Sequence, residues 1–190
     1  MLSRLSQFAL VLALVAPALP VSAQPVTPAQ ASTERDGQHD FDFEFGTWST
    51  HVRVLLNPLT GESPDWAEYQ GTSVFIPVMD GRAHLVELSV AGSVGRIEGI
   101  SLRLYNPEAR QWSLNYAGLR NGLLTAPVFG GFDASGRGVF HGQDMVDGRA
   151  VLVRFVITQT SENEAHFEQA FSVDGGTTWE VNWIATDTRQ

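Results

Sequence analysis

The stretch HFEQAFSVDGGTTWEVNW, residues 166–183, decides the fold. Phe167 and Phe171 keep one parity before its polar centre, and Trp179, Val181 and Trp183 keep one parity after it. Alternation of this kind marks two half-buried strands, and Gly175-Gly176 between them supplies the positive φ angles of a tight turn. A two-residue turn there sets Glu180 opposite Phe171 and Asn182 opposite Gln169, with Glu168 on the other face beside Trp183. A turn longer by one residue reverses the parity and brings Glu168 diagonal to Glu180. The turn chemistry agrees better with the first register.

The same grammar extends along the chain. Alternating segments at 46–56, 66–78, 83–90, 96–105, 111–119, 123–132, 139–145, 150–159, 165–173 and 177–186 are separated by turn residues. Asn57-Pro58, Asp80-Gly81, Asn106-Pro107, Asn121-Gly122 and Asp147-Gly148 punctuate them. No connection is long enough to hide a crossover helix, so a parallel sheet is excluded. The expected fold is all-β: a single antiparallel up-and-down barrel of about ten strands, closed because closure removes the sheet edges. HDFDFEF (39–45), ahead of the first strand, reads as a helical turn that plugs one end with Phe41 and Phe45.

Within the opening stretch, SVDGGTTW (172–179) matches the S-x-D-x-G-x-T-W Asp box of sialidases and other β-propellers. In a propeller the box recurs blade after blade; here it occurs once, in a chain too short for several blades. Its residues account for themselves as a turn. Asp174 can accept hydrogen bonds from turn amides, the glycines permit positive φ, and Trp179 can pack over the hairpin. The sialidase reading fails.

Upstream, MLSRLSQ, the apolar run FALVLALVAPALP and the small residues of VSA have the form of a secretory signal peptide, residues 1–23. The run is too short and too interrupted by proline for a membrane span. Residues 24–40, rich in Pro, Gln, Ser and Thr, read as a disordered leader, and 41–189 as the barrel domain. The expected setting is export from a bacterial cell, to the periplasm or beyond. Cysteine and lysine are both absent, which excludes thiol and Schiff-base catalysis. A net charge of −9 argues against nucleic acid as a partner.

FDFEFGTW (41–48), LRLYNPEARQWSLNY (102–116) and FEQAFSVDGGTTWEVNW (167–183) together resemble a family of secreted and cytoplasmic bacterial proteins known only as a domain of unknown function. That resemblance covers most of 41–189 and implies a lipocalin-like (calycin) barrel and a small ligand, with no catalytic residues to carry over. Gly46-Thr47-Trp48 also resembles the G-x-W at the first strand of lipocalins and haem-binding nitrobindins.

The candidate site depends on which strand faces point inward. Val86, Leu88 and Val90, then Ile100, Leu102 and Leu104, then Val151, Val153, Phe155 and Ile157 form aliphatic faces. Opposite them lie Glu87, then Arg103 and Tyr105, then Arg154 and Thr158. Antiparallel sheets ordinarily turn the aliphatic face inward and the charged one to water. The sharper alternative gathers Trp48, Glu87, Arg103, Tyr116, Arg154, Glu168, Glu180 and Asn182 around a polar cavity, where a buried arginine could take a carboxylate.

The leading expectation is a non-enzymatic binder of a small apolar or amphipathic molecule. The alternatives are a barrel enzyme using Glu168 or Glu180 with Arg154, and an interaction module with exposed aromatics for a protein or polysaccharide. No cofactor or metal is expected. The histidines lack zinc spacing, although His166 falls where a nitrobindin-like barrel would ligate haem. His84, in phase with Val86 and Leu88, reads as a packed histidine, and the acids of HDFDFEF as a solvated face and not a calcium loop.

Overall fold

A computed structural model describes residues 36–190. The expected signal peptide and the leader up to residue 35 lie outside the described residues. Eleven strands follow two short 3₁₀ turns, Gly37–His39 and Asp42–Glu44. They are β1 (Gly46–Leu55), β2 (Trp66–Val78), β3 (Ala83–Gly92), β4 (Gly95–Asn106), β5 (Gln111–Gly118), β6 (Leu123–Leu124), β7 (Val128–Phe132), β8 (Arg137–Val146), β9 (Arg149–Ser161), β10 (Glu164–Ser172) and β11 (Glu180–Arg189). All neighbours pair antiparallel. Ten strands close a barrel through the β1–β11 and β4–β5 pairings, and β6 is an extra strand held by β5 alone. The closed up-and-down barrel expected from the alternation is the fold, and it has the lipocalin-like form that the resemblance implied.

Two strands differ from their expected form. The segment at 123–132 breaks into β6 and β7 around Pro127, which has no N–H to give a ladder. The last strand starts at Glu180 because the Asp box holds the residues before it. Ser172 Oγ donates to Asp174 Oδ1 (2.8 Å), and the Thr178 amide (2.9 Å) and hydroxyl (2.7 Å) donate to the same carboxylate. These bonds hold the Asp174 pKa down at about 2. Gly175 and Gly176 take φ of 73° and 91°, and Trp179 Nε1 donates to the Gly176 carbonyl at 3.0 Å. The box is a turn, as its residues suggested.

Neighbouring strands approach very closely at in-strand glycines. A Cβ at Gly71 would run into the Ser89 carbonyl of the next strand, and one at Gly130 into that of Val139. Only glycine lets neighbouring backbones approach this closely.

Register decides what the interior contains. Cross-strand partners share a face, so the inward set of β3 (His84, Val86, Leu88) fixes that of β4 through the pairs His84↔Arg103, Val86↔Ser101 and Leu88↔Gly99. Arg103 and Tyr105 are therefore buried inside. Ile100, Leu102 and Leu104 face out, with Leu104 44% exposed. This corrects the expectation that the aliphatic face of this strand points inward. On β3 and β9 the ordinary rule holds: Val86, Val90, Val151, Val153 and Ile157 are buried, while Glu87 and Arg154 point outward.

The turn before β1 closes one end. Phe41 is fully buried and meets Trp112, Phe132 and Phe140 at ring-centroid separations of 5.1, 4.8 and 5.8 Å. Around it, Leu114, Val128, Phe140, Val151, Val153 and Ile157 fill the β5–β9 side of the barrel. Trp48 Nε1 donates to the Glu44 carbonyl (2.6 Å), and the Arg189 guanidinium donates to the Phe43 and Phe45 carbonyls, so the plug is stapled to both β1 and β11. Gly37, placed by sequence in the leader, already belongs to this assembly. Its amide donates to Tyr105 Oη and its carbonyl accepts from Trp112 Nε1.

Candidate ligand-binding cavity

Above the plug, a space remains against β1–β5 and β9–β11. It is a cavity of about 160 Å³. Three layers follow from strand position. Next to the plug are Glu44, Thr50, Ser73, Arg103 and Asp187. Above them the walls are Val52, Val86, Leu88, Leu114, Phe155 and Phe167. Farthest from the plug stand Tyr116, Gln169 and Trp183. Tyr116 and Trp183 also border a depression at the open end with Leu56, Val94, Leu119 and Arg120, which marks where the cavity approaches solvent.

Among the described residues, Arg103 is the only basic one lining the cavity. Its Nη1 donates to Glu44 Oε2 in a buried ion pair, and its guanidinium lies over the Phe41 ring at 4.2 Å and the Phe75 ring at 5.4 Å. Burial raises the Glu44 pKa, and Arg103 acts against that shift. The acids of HDFDFEF were read as a solvated face. Glu44 departs from that because the plug turns it onto Arg103, whereas Asp42 is exposed and pairs with His39 Nδ1 at 2.9 Å.

Asp187 is buried too. Its Oδ1 accepts from the Thr50 hydroxyl, which lies 2.7 Å from Ser73 Oγ. Burial raises its pKa; the Thr50 hydrogen bond and then Arg103 oppose the shift. His84, 1% exposed, packs against Phe45 and Trp112 at 4.7 and 4.8 Å. Burial first, and Arg103 second, lower its pKa to about 4, so this histidine is neutral at neutral pH, as a packed one should be.

Of the eight candidate site residues, Arg103 and Tyr116 line the cavity, and Trp48 is buried just beyond it with Arg189 stacked 4.2 Å above its ring. Asn182 is the unopposed residue of a bulge, since Gln169 pairs with Trp183 and Ala170 with Val181. Its Oδ1 accepts from Gln169 Nε2 at 2.7 Å. Glu180 faces Phe171, as the two-residue register requires, and accepts the Leu59 amide at 2.7 Å. The other three lie outside. Glu87 is exposed, Arg154 stacks 4.5 Å over Trp179, and Glu168 sits 3.3 Å from His166 Nε2 on the outer face.

Glu168 and Glu180 therefore occupy opposite faces and form no carboxylate pair. His166 does not line the cavity. Exposed apolar residues near the open end are mainly aliphatic: Leu119, Leu123 and Leu124 are each more than 60% exposed. Among the described residues no group of three histidine or acidic side chains comes together as a metal site.

Glu44, Thr50, Ser73 and Asp187 were missed from sequence. Asp187 was readable in principle, since it continues the inward parity of Trp183 and Ala185.

No family model matches the chain, and no curated protein matches it. Solved structures do. An S-type phycobiliprotein lyase from Guillardia theta aligns over 83% of this chain and 94% of its own, with a TM-score of 0.57 and 13% identity. A de novo designed fluorescence-activating β-barrel aligns over 78% of this chain and 95% of its own (TM-score 0.42, 14% identity). A redesigned β-barrel bound to DFHBI aligns over 82% of this chain and all of its own, with the same TM-score and identity. At such identities the likeness to the lyase is one of fold.

Proposed function

We propose that this chain is an exported barrel that binds a small apolar or amphipathic molecule in its interior. The observation that carries the reading is the layered cavity: a polar floor, aliphatic and aromatic walls, and an aromatic mouth. Ligand sites are commonly concave and mostly apolar, with a few convergent polar groups that set orientation. Size narrows the choice. An apolar cavity of about 150 Å³ accommodates benzene, so the 160 Å³ here suits a body of one ring. Anything longer would extend between Tyr116 and Trp183 onto the depression outside.

Saturation-transfer NMR with toluene, benzyl alcohol and indole tests this. Each should receive magnetisation from the protein, and Leu88→Trp, which fills the cavity from β3, should remove the signal while the variant still melts cooperatively. Absence of transfer to all three compounds would remove the reading. Export is supported by the apolar run and the small residues before Gln24. The amino terminus of protein recovered from its natural cell should be Gln24, and an intact Met1 would overturn that part.

A further inference from the structure

The cavity holds one arginine and two acids, and how they pair decides which head group fits. We infer that the interior is built for an amine: a small molecule with an ammonium group directed at Asp187 and a one-ring apolar body against Phe155, Phe167 and Trp183. This rests on the proposal that the cavity binds a ligand at all.

Arg103 is matched in charge, although its buried Nε–H has no hydrogen-bond partner among the described residues. Its charge is answered by Glu44, and its faces are taken up by Phe41 and Phe75. An anionic ligand drawn to it would meet the carboxylates of Glu44 and Asp187 in the same layer. Asp187 has no ion-pair partner of its own. It is 8% exposed, and its hydrogen-bonding partners are the neutral hydroxyls of Thr50 and Ser73. Arg103 and His166 act on its charge from a distance, but among the described residues no basic side chain forms an ion pair with it. With all three groups ionised, the lining keeps one uncompensated negative charge. A buried charge without a partner is costly, and an ammonium would supply that partner together with N–H donors.

The rest of the lining agrees. Ser73 Oγ, next to Thr50, offers further acceptor capacity to a group with three N–H bonds. Phe155, Phe167 and Trp183 line the same space, and aromatic rings attract cations as well as apolar bodies. The chain's net charge of −9 favours the arrival of cations over anions.

Three probes sharing one ring separate the outcomes: benzylamine, benzyl alcohol and phenylacetate, titrated calorimetrically at pH 7 and low salt. Benzylamine should bind at least tenfold more tightly than benzyl alcohol, and phenylacetate should not bind. Asp187→Asn, which keeps the shape and removes the charge, should bring benzylamine down to the level of the alcohol and change the alcohol's affinity less than twofold. Should that variant fail to melt cooperatively, Thr50→Val, which removes the hydroxyl holding the carboxylate, should weaken benzylamine selectively. If the alcohol or phenylacetate binds as well as the amine, the amine assignment is overturned and the cavity reading stands. If none of the three binds, both fall.

Discussion

Removing the charge of Glu44 should cost more than removing the arginine it pairs with. Both side chains of this ion pair are less than a tenth exposed, 6% for Glu44 and 8% for Arg103. Taking one partner from a buried pair typically costs about 3–5 kcal/mol, because the other charge stays buried alone. In Glu44→Gln the survivor is a guanidinium, which cannot give up its proton at any accessible pH. Asp187 lies close enough to Arg103 for the two to influence each other, and it offsets part of the loss. The cost should therefore fall nearer about 3 than 5 kcal/mol. For a domain of this size that corresponds to a fall in Tm of about 6–12 °C at pH 7. In Arg103→Met the survivor is a carboxyl whose pKa burial already raises, so it can take up a proton and become neutral. The sign follows: a folded-state pKa above the unfolded one contributes stability that is complete below the unfolded value and is lost as pH rises through the folded one. Arg103→Met should thus come close to wild type near pH 4.5 and fall behind it at pH 8. Melts of both variants across that range decide the matter. A Glu44→Gln variant within a degree or two of wild type at pH 7, or an Arg103→Met deficit that grows on acidification, would refute the reasoning.

Gly130→Ala should lower stability by about 1–3 kcal/mol, read as a shift in denaturant midpoint at unchanged slope, because its Cβ meets the Val139 carbonyl. Arg154→Ala, which loses only the stacking on Trp179 outside the barrel, should cost about 0.5–1 kcal/mol and leave fragment binding untouched. A loss of binding would place that residue in the site after all. Asp174→Ala should speed hydrogen exchange of the Thr178 amide and destabilise the protein at pH 7. Because the wild-type pKa is depressed to about 2, that advantage is present above the ordinary carboxylate range and lost as pH falls through it, so the two proteins should converge near pH 2. Phe41→Ala, which empties the centre of the plug, should cost about 3–5 kcal/mol in the same denaturation assay.

The fold was readable because hairpins are local. Turn dipeptides and alternation sit within a few residues of each other, and together they fix strands, antiparallel pairing and the position of the plug. The Glu180–Phe171 register followed from the same local chemistry. The bulge at Asn182 did not, because nothing in EVNW announces an extra residue; it shows only where Gln169 and Trp183 pair. The site was harder for a different reason: Glu44 and Arg103 are 59 residues apart, and neither is unusual in its own segment.

The inversion of β4 follows from the same distance. Taken alone, Ile100, Leu102 and Leu104 are the obvious inward face, and the hydrophobic effect favours them by every local measure. Two long-range facts outweigh that preference. Closing the barrel ties β4 to β3 on one side and β5 on the other, so its parity is set by His84↔Arg103 and Arg103↔Leu114, whatever its own pattern favours. The plug then delivers a carboxylate and an aromatic face to the spot where Arg103 arrives, which makes its burial affordable. A strand with its aliphatic side turned outward is thus the mark of a polar interior, since an ordinary core would have given no reason to bury the arginine. It follows that in Glu44→Leu combined with Arg103→Met the ion pair gives way to apolar groups and Asp187 keeps its hydrogen bond to Thr50. That double variant should be at least as stable as wild type, as replacement of buried ion pairs by apolar groups often is. It should also still prefer benzylamine over phenylacetate, because the group that selects the cation is Asp187 and not the pair beside it.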